Sequence, residues 1–359
     1  AIISNTIYGS TDNSIDVTIV PQDHIDQAPR PELLGIPKVL GVGAFENHTC
    51  TWRDDDSMQC WGSNSNGELG NSRVESANVP LLVRTFHGAA TQLAGGHSHT
   101  CALLDDGSVQ CWGNNRSGQL GNSDDSDSPT PKAVTGLVDK VAQITAGSFH
   151  TCALLVNGAV QCWGRNSAGQ LGTGNFDDGT YTPQLVQGLA GSAIQITAGR
   201  QHTCAVLADG TSQCWGSNNF GQLGNGTFDN ASLPQRVVGL TDAAIALTAG
   251  GTHTCALLDG GEVQCWGSNT YGQLGNSNNA WQNSTPQRVD ALSDTVTQLV
   301  TGSEHTCAML ADESVQCWGM WPGSGSSDEA TYIPTTIVGL EGNAAQVSAG
   351  GSHTCVLLE

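Results

Sequence analysis

The chain has 359 residues, of which 46 are glycine and 13% are charged, and its formal net charge is −21. A surface this acidic, with only 12 Lys plus Arg, repels nucleic acid phosphates and anionic lipid headgroups, so neither is expected as a partner. No apolar run reaches the length of a membrane span, and the glycine content suits short strands and tight turns better than long helices.

Residues 1–35 form a segment of their own, with β-prone stretches at Ile2–Ile7 and Ile15–Val20 and no cysteine. Their start, AIISNTIYGS, lacks the charged opening of a signal peptide, so the chain reads as a mature product. Residues 36–359 repeat one sentence seven times, best written in the third copy as AGSFHTCALLVNGAVQCWG from Ala146 to Gly164. The cysteine of its His-Thr-Cys element falls at Cys50, Cys101, Cys152, Cys204, Cys255, Cys307 and Cys355, in steps of 51, 51, 52, 51, 52 and 48 residues. A fixed period of this length, carried by β-type segments, predicts a propeller or solenoid forming one body. The third copy predicts strands over Ala142–Ala146, His150–Leu155, Ala159–Trp163 and Pro183–Val186. Alternation turns Cys152, Leu154, Val160 and Cys162 to one face and Ala153, Leu155 and Trp163 to the other. Both faces are apolar, as blades packed between neighbouring blades require.

A second cysteine follows ten positions after the first in six copies, which pairs Cys50 with Cys60, Cys101 with Cys111, Cys152 with Cys162, Cys204 with Cys214, Cys255 with Cys265 and Cys307 with Cys317. In the second copy a turn at Asp105-Asp106-Gly107, glycine taking the left-handed position, sets Leu104 against Ser108. Counting outward puts Cys101 opposite Cys111, close enough for a disulfide. Asp56 and Glu313 replace that glycine in the first and sixth copies, so those two turns are expected to differ. A His-x-Cys metal site is the rival reading, but the spacing matches no familiar zinc pattern and each copy is a ligand short. Six staples imply an oxidising compartment, hence a secreted, extracellular or cell-surface protein. Cys355 has no partner in this scheme.

After each hairpin comes Trp-Gly-x-Asn-x-x-Gly-Gln/Glu-Leu-Gly, at Trp61–Gly70, Trp112–Gly121, Trp163–Gly172, Trp215–Gly224 and Trp266–Gly275. Together with Ala-Gly-x-x-His-Thr, these motifs make residues 36–359 resemble the regulator of chromosome condensation repeat family, in its cysteine-stapled secreted branch. The resemblance implies a seven-bladed propeller of four-stranded antiparallel blades. Since the last copy offers only two strands before Glu359, the N-terminal strands are expected to complete the seventh blade. Donation of those strands to a neighbouring copy, giving a filament, is the alternative.

The family's nucleotide-exchange and chromatin activities fit poorly with an oxidised, acidic chain, and its light-sensing branch uses a tryptophan before the arginine-histidine pair that is missing here. The repeat histidines His48, His99, His150, His202, His253, His305 and His353 occupy equivalent places, so they are expected to make a repeated structural hydrogen bond to backbone. The repeat tryptophans are expected to pack between blades. No nucleophile elbow, phosphate loop or zinc-protease motif is present, and no cofactor is expected beyond weak calcium at Asp124-Asp125-Ser126-Asp127, Asp177-Asp178 and Asp229-Asn230. Sequons at Asn47, Asn115, Asn225, Asn230 and Asn283 are candidate glycosylation acceptors.

Binding is expected where the copies disagree: Phe149, Arg200 and Glu304 before the repeat histidines, Phe220, Tyr271 and Trp281 in later loops, and Trp321 where the sixth copy abandons Gly-Gln-Leu-Gly. The reading is a non-enzymatic extracellular scaffold that recognises a protein partner through loops. A self-assembling surface subunit, and a secreted hydrolase or carbohydrate binder, are its alternatives.

Overall fold

The structure, a computed structural model, describes residues 4–5, 17–18, 37–278, 280–320 and 330–359. Six antiparallel sheets of four strands follow one another along the chain. The first runs Val39–Ala44, His48–Arg53, Met58–Gly62, Ala77–Leu82, and the third Val141–Ala146, His150–Leu155, Val160–Arg165, Gly179–Leu185. The expectation of seven four-stranded blades is thereby corrected. Among the described residues the seventh position holds a two-stranded sheet, Ala344–Ala349 with Thr354–Leu358. The N-terminal strands Ser4–Asn5 and Val17–Thr18 pair with each other as a separate sheet beside Thr354–Leu358, without a hydrogen-bonded ladder joining the two pairs.

The middle strands of the blades bury both faces against neighbouring blades. Cys101, Leu103, Val109 and Cys111 pack on Ala153, Leu155 and Trp163 of the next blade, while Cys152, Leu154, Val160 and Cys162 pack on Ala205, Leu207 and Trp215 of the one after. The core is therefore a ring of inter-blade layers, each leucine in it contributing about 1.5–3 kcal/mol by burial.

All six cysteine pairs are disulfides joining directly opposed residues, such as Cys101 and Cys111. The turns close as the spacing predicts, with Leu104 N donating to Ser108 O at 2.9 Å and Gly107 at φ 84°. Asp56 and Glu313 do not change the turn; they adopt the same left-handed conformation, at φ 61° and 65°. Register across the hairpin decides the turn, and the side chains accept the strain.

The repeat histidines join blades, and their partner is a threonine hydroxyl rather than backbone. His48 meets Thr100 at 2.7 Å, His99 meets Thr151 at 3.0 Å, and His150, His202, His253, His305 and His353 meet Thr203, Thr254, Thr306, Thr354 and Thr49 at 2.9 Å. Five of the tryptophans do likewise: Trp112, Trp163, Trp215, Trp266 and Trp318 donate Nε1–H to a carbonyl of the preceding blade's Gly-Gln/Glu-Leu-Gly loop. A third tie is a glutamine on the inner strand, as where Gln92 both donates to and accepts from the backbone of Ile144. Gln143, Gln195, Gln298 and Gln346 repeat this bridge to Ile196, Leu247, Val347 and Val42.

Candidate functional site

In each four-stranded blade the chain runs up the inner strand, down the second, up the third and down the fourth. This puts the loops before the repeat histidines and the loops after Trp-Gly at one end of the ring, and the stapled hairpin turns at the other. The first set circles the axis. At its centre lies a cavity of about 230 Å³ walled by glycine, alanine and small hydroxyl residues, with Phe45, Glu46 and Arg200 among its lining.

Backbone bonds hold this rim: His97 N donates to Ser148 O, Ser148 N to Arg200 O, Arg200 N to Gly250 O, Gly251 N to Ser303 O, Ser303 N to Gly351 O, and Gly351 N to Glu46 O. The first and second blades lack such a bond, and there Asn47 reaches His97 by its side chain at 3.5 Å. Three sequence candidates stand on this rim. Arg200 reaches across from the fourth blade to pair with Glu46 of the first at 3.2 Å, and Ser303 Oγ donates to the same carboxylate at 3.1 Å. Glu304 is half-buried, and burial pushes its carboxyl above the usual range, with Arg200 opposing and Glu46 adding to that shift. Phe149 packs between the His97 ring, 5.6 Å away, and the Arg165 guanidinium, 5.9 Å from its centroid. Glu46, His97, Arg165 and Ser303 are not marked by the sequence pattern as Phe149 and Arg200 are, although three of them stand, like Arg200, two residues before the repeat histidine.

Phe220, Tyr271 and Trp281 lie farther out on the same end. Phe220 and Tyr271 donate their backbone N–H to Gln222 and Gln273 side chains, and Trp281 is 61% exposed. Trp321 lies outside the described residues. These outer loops are rigid because buried Asn64, Asn115, Asn166, Asn218 and Asn269 accept from the motif leucine N–H and donate to carbonyls later in their loops. That framework corrects one sequon: Asn115 is completely buried with its amide engaged, leaving no room for a glycan. Asn47, Asn225 and Asn283 are half-buried, and Asn230 alone of the five is exposed.

The acidic loop at 124–127 spends carboxylates on its own closure, Asp127 accepting from Asn115 N and Asp124 from Asp125 N, and Asp177 accepts from Asn175 Nδ2. No group of three or more His, Cys, Asp or Glu among the described residues is placed to hold a metal. In five junctions the threonine hydroxyl donates to a backbone carbonyl, so each partnered histidine offers Nε2–H and carries a bare, buried Nδ1. Burial lowers the pKa of His48, His99, His150, His202 and His253 to about 3, which leaves them neutral structural donors. Cys355 remains a buried thiol whose pKa burial pushes up to about 12.

The family model described as RCC1-like domain matches residues 17–356. The ultraviolet-B receptor UVR8 of Arabidopsis thaliana is 32% identical over 336 residues, covering 90% of this chain and 75% of its own. The probable E3 ubiquitin-protein ligase HERC6 of Homo sapiens is 33% identical over 281 residues, but this chain spans only 27% of its length. Among solved structures, Prp20p of Saccharomyces cerevisiae, described with its binding to Gsp1p and histones, superposes with a TM-score of 0.79 at 23% identity, over 91% of this chain and 83% of its own.

Proposed function

The chain belongs to the RCC1-like domain family, and from that premise we propose that it is a non-enzymatic scaffold that recognises a protein partner with the loop end of its stapled ring. The observation that carries this reading is one of placement. Every variable candidate that the structure describes, Phe149, Arg200, Phe220, Tyr271, Trp281 and Glu304, belongs to a loop at the same end of the blades. Buried asparagines and inter-blade bonds hold those loops, so little conformational entropy is lost when a partner docks. Aromatic and arginine side chains on such a face are the usual anchors of protein recognition. Binding of Gsp1p and histones by Prp20p supports the same use of this fold.

The six disulfides support residence in an oxidising compartment, and so a secreted or cell-surface location. The position of Ser4–Asn5 and Val17–Thr18 beside the seventh sheet supports residues 1–35 as the closing strands of that blade, within a single domain of residues 1–359. Capture experiments from the native surroundings test the binding reading. Phe149→Ala, Phe220→Ala and Trp281→Ala, each checked for an unchanged Tm, should weaken retention of a captured protein about tenfold or more. Retention unaffected by all three overturns it. Sizing at several concentrations tests the closure: a mass that grows with concentration points instead to strand donation between copies.

A further inference from the structure

We propose that the axial mouth of the loop end receives one cationic side chain, a lysine or arginine of the protein partner, between Glu46 and Glu304. This rests on the loop-end reading above and names the chemistry at its centre.

Three blades contribute charge to the mouth. Glu46 comes from the first, Arg200 from the fourth and Glu304 from the sixth; Arg200 pairs with Glu46 and acts on Glu304 only through its charge. Glu46 is saturated on one oxygen, which takes both Arg200 at 3.2 Å and Ser303 Oγ at 3.1 Å. Glu304, by contrast, has neither a side-chain hydrogen bond nor an ion pair among the described residues, although it is half-buried. Burial disfavours the charge on this carboxyl, and a cation that reaches it offsets that penalty.

The space beneath fits such a group. The cavity of about 230 Å³ is lined by Gly147, Gly199, Gly250, Gly302 and Gly350 and has no charged side chain other than Glu46 and Arg200 in its lining. No bulky side chain bars the head of such a group from reaching the level of the carboxylates, while its alkyl stem trails outward to the partner. Arg200 is exposed and can swing away, so the incoming cation takes its place on Glu46. Beside the mouth Phe149, stacked between His97 and Arg165, offers an apolar shelf for the residues flanking the cation. The net charge of −21 steers a basic segment toward the protein, and the mouth selects where one residue of it seats.

The test uses the whole chain and a pentapeptide, acetyl-Gly-Gly-Lys-Gly-Gly-amide, with norleucine replacing lysine in its control, followed by NMR at low and physiological salt. The lysine peptide should perturb resonances of the mouth, and Glu304→Gln should weaken it about tenfold, as loss of a charge-assisted contact does. Arg200→Gln should strengthen it. Asp259→Asn, an equal change of charge at the stapled end, should leave it unchanged. Equal binding of the norleucine peptide, or an equal loss with Asp259→Asn, overturns the proposal. Because the peptide needs no natural partner, Glu304-dependent binding stands even where partner capture ignores Phe149→Ala and Trp281→Ala, a pattern that sinks only the wider loop-end reading.

Discussion

His353 and Thr49, separated by 304 positions, meet at 2.9 Å through the same imidazole–hydroxyl contact that joins the other neighbouring sheets. Gln346 bridging Val42, Ser348 Oγ accepting from Ala44 N, and Gly351 N donating to Glu46 O complete this junction. The ring is therefore well tied where distant parts of the chain meet. Its poorest axial junction lies between the first and second blades, where Gly41 replaces the bridging glutamine and the rim backbone bond is missing.

Acid should dismantle the ring cooperatively. Burial holds five repeat histidines at about 3 and His305 and His353 at about 4, against 6.5 for an ordinary histidine. The unfolded chain binds more protons throughout that window. Stability is full above pH 6.5 and falls as pH drops through the window, by up to about 1.4 kcal/mol per pH unit for each histidine. Asp55, Asp106, Asp209 and Asp312, whose carboxyls are lowered first of all by hydrogen bonds from the Ser or Thr two residues on, add to the loss at the acid end. Denaturant unfolding from pH 8 to 4 should show this slope. A flat profile would contradict the assignment of neutral, buried histidines.

At the poorest junction Phe45 stands where other blades have glycine, and its ring fills the space left at Gly43 and Gly95. Phe45→Gly should cost about 3–5 kcal/mol, as deletion of a buried aromatic does. Gly95→Ala alone should also destabilise, because its Cβ runs into that ring. The double variant should be less damaged than the sum of the two, by about 1 kcal/mol or more in a double-mutant cycle. Additivity would show that the two positions do not share one space.

Left-handed strain at Glu313 can be relieved. Glu313→Gly should stabilise the chain by about 0.5–1 kcal/mol, since its φ of 65° costs a side chain more than glycine loses in the unfolded state. Gly158→Ala, at φ 82° with Ser192 against its Cβ, should destabilise by about 1 kcal/mol or more. Thermal unfolding of the two variants measures both signs.

Each staple closes a short loop, so Cys152→Ala with Cys162→Ala should cost about 2–3 kcal/mol in the chain-entropy account. Intact mass after alkylation without reductant should show no modification of the folded protein and one adduct after denaturation, at Cys355. More adducts than one in the unfolded sample would contradict six disulfides.

Local pairing was legible in the sequence. The turn at Gly107 and the ten-residue cysteine spacing led directly to Cys101 opposite Cys111, since a hairpin's register follows from its turn and its period of two. The fourth strand of the third blade was placed late, at Pro183–Val186 instead of Gly179–Leu185, because an irregular register with its neighbour masks the alternation. The histidine partner is hidden from the sequence for a different reason. Thr203, which holds His150, lies 53 residues away, and no local pattern announces that contact. Likewise the variable slot before His48 holds Glu46, but nothing local sets it against Arg200, 154 positions on.

By itself, the sequence determined the repeat, the strands, the staples and the apolar faces, because these follow from alternation and turn chemistry within about fifty residues. Tertiary structure alone decided which end carries the variable loops as a group, how the seventh sheet meets the first blade, and which charges share the axis. Those are matters of curvature and closure. Small rotations between blades accumulate around the ring until residues from opposite parts of the chain meet, and the sum of many packing angles is not written in any one of the copies.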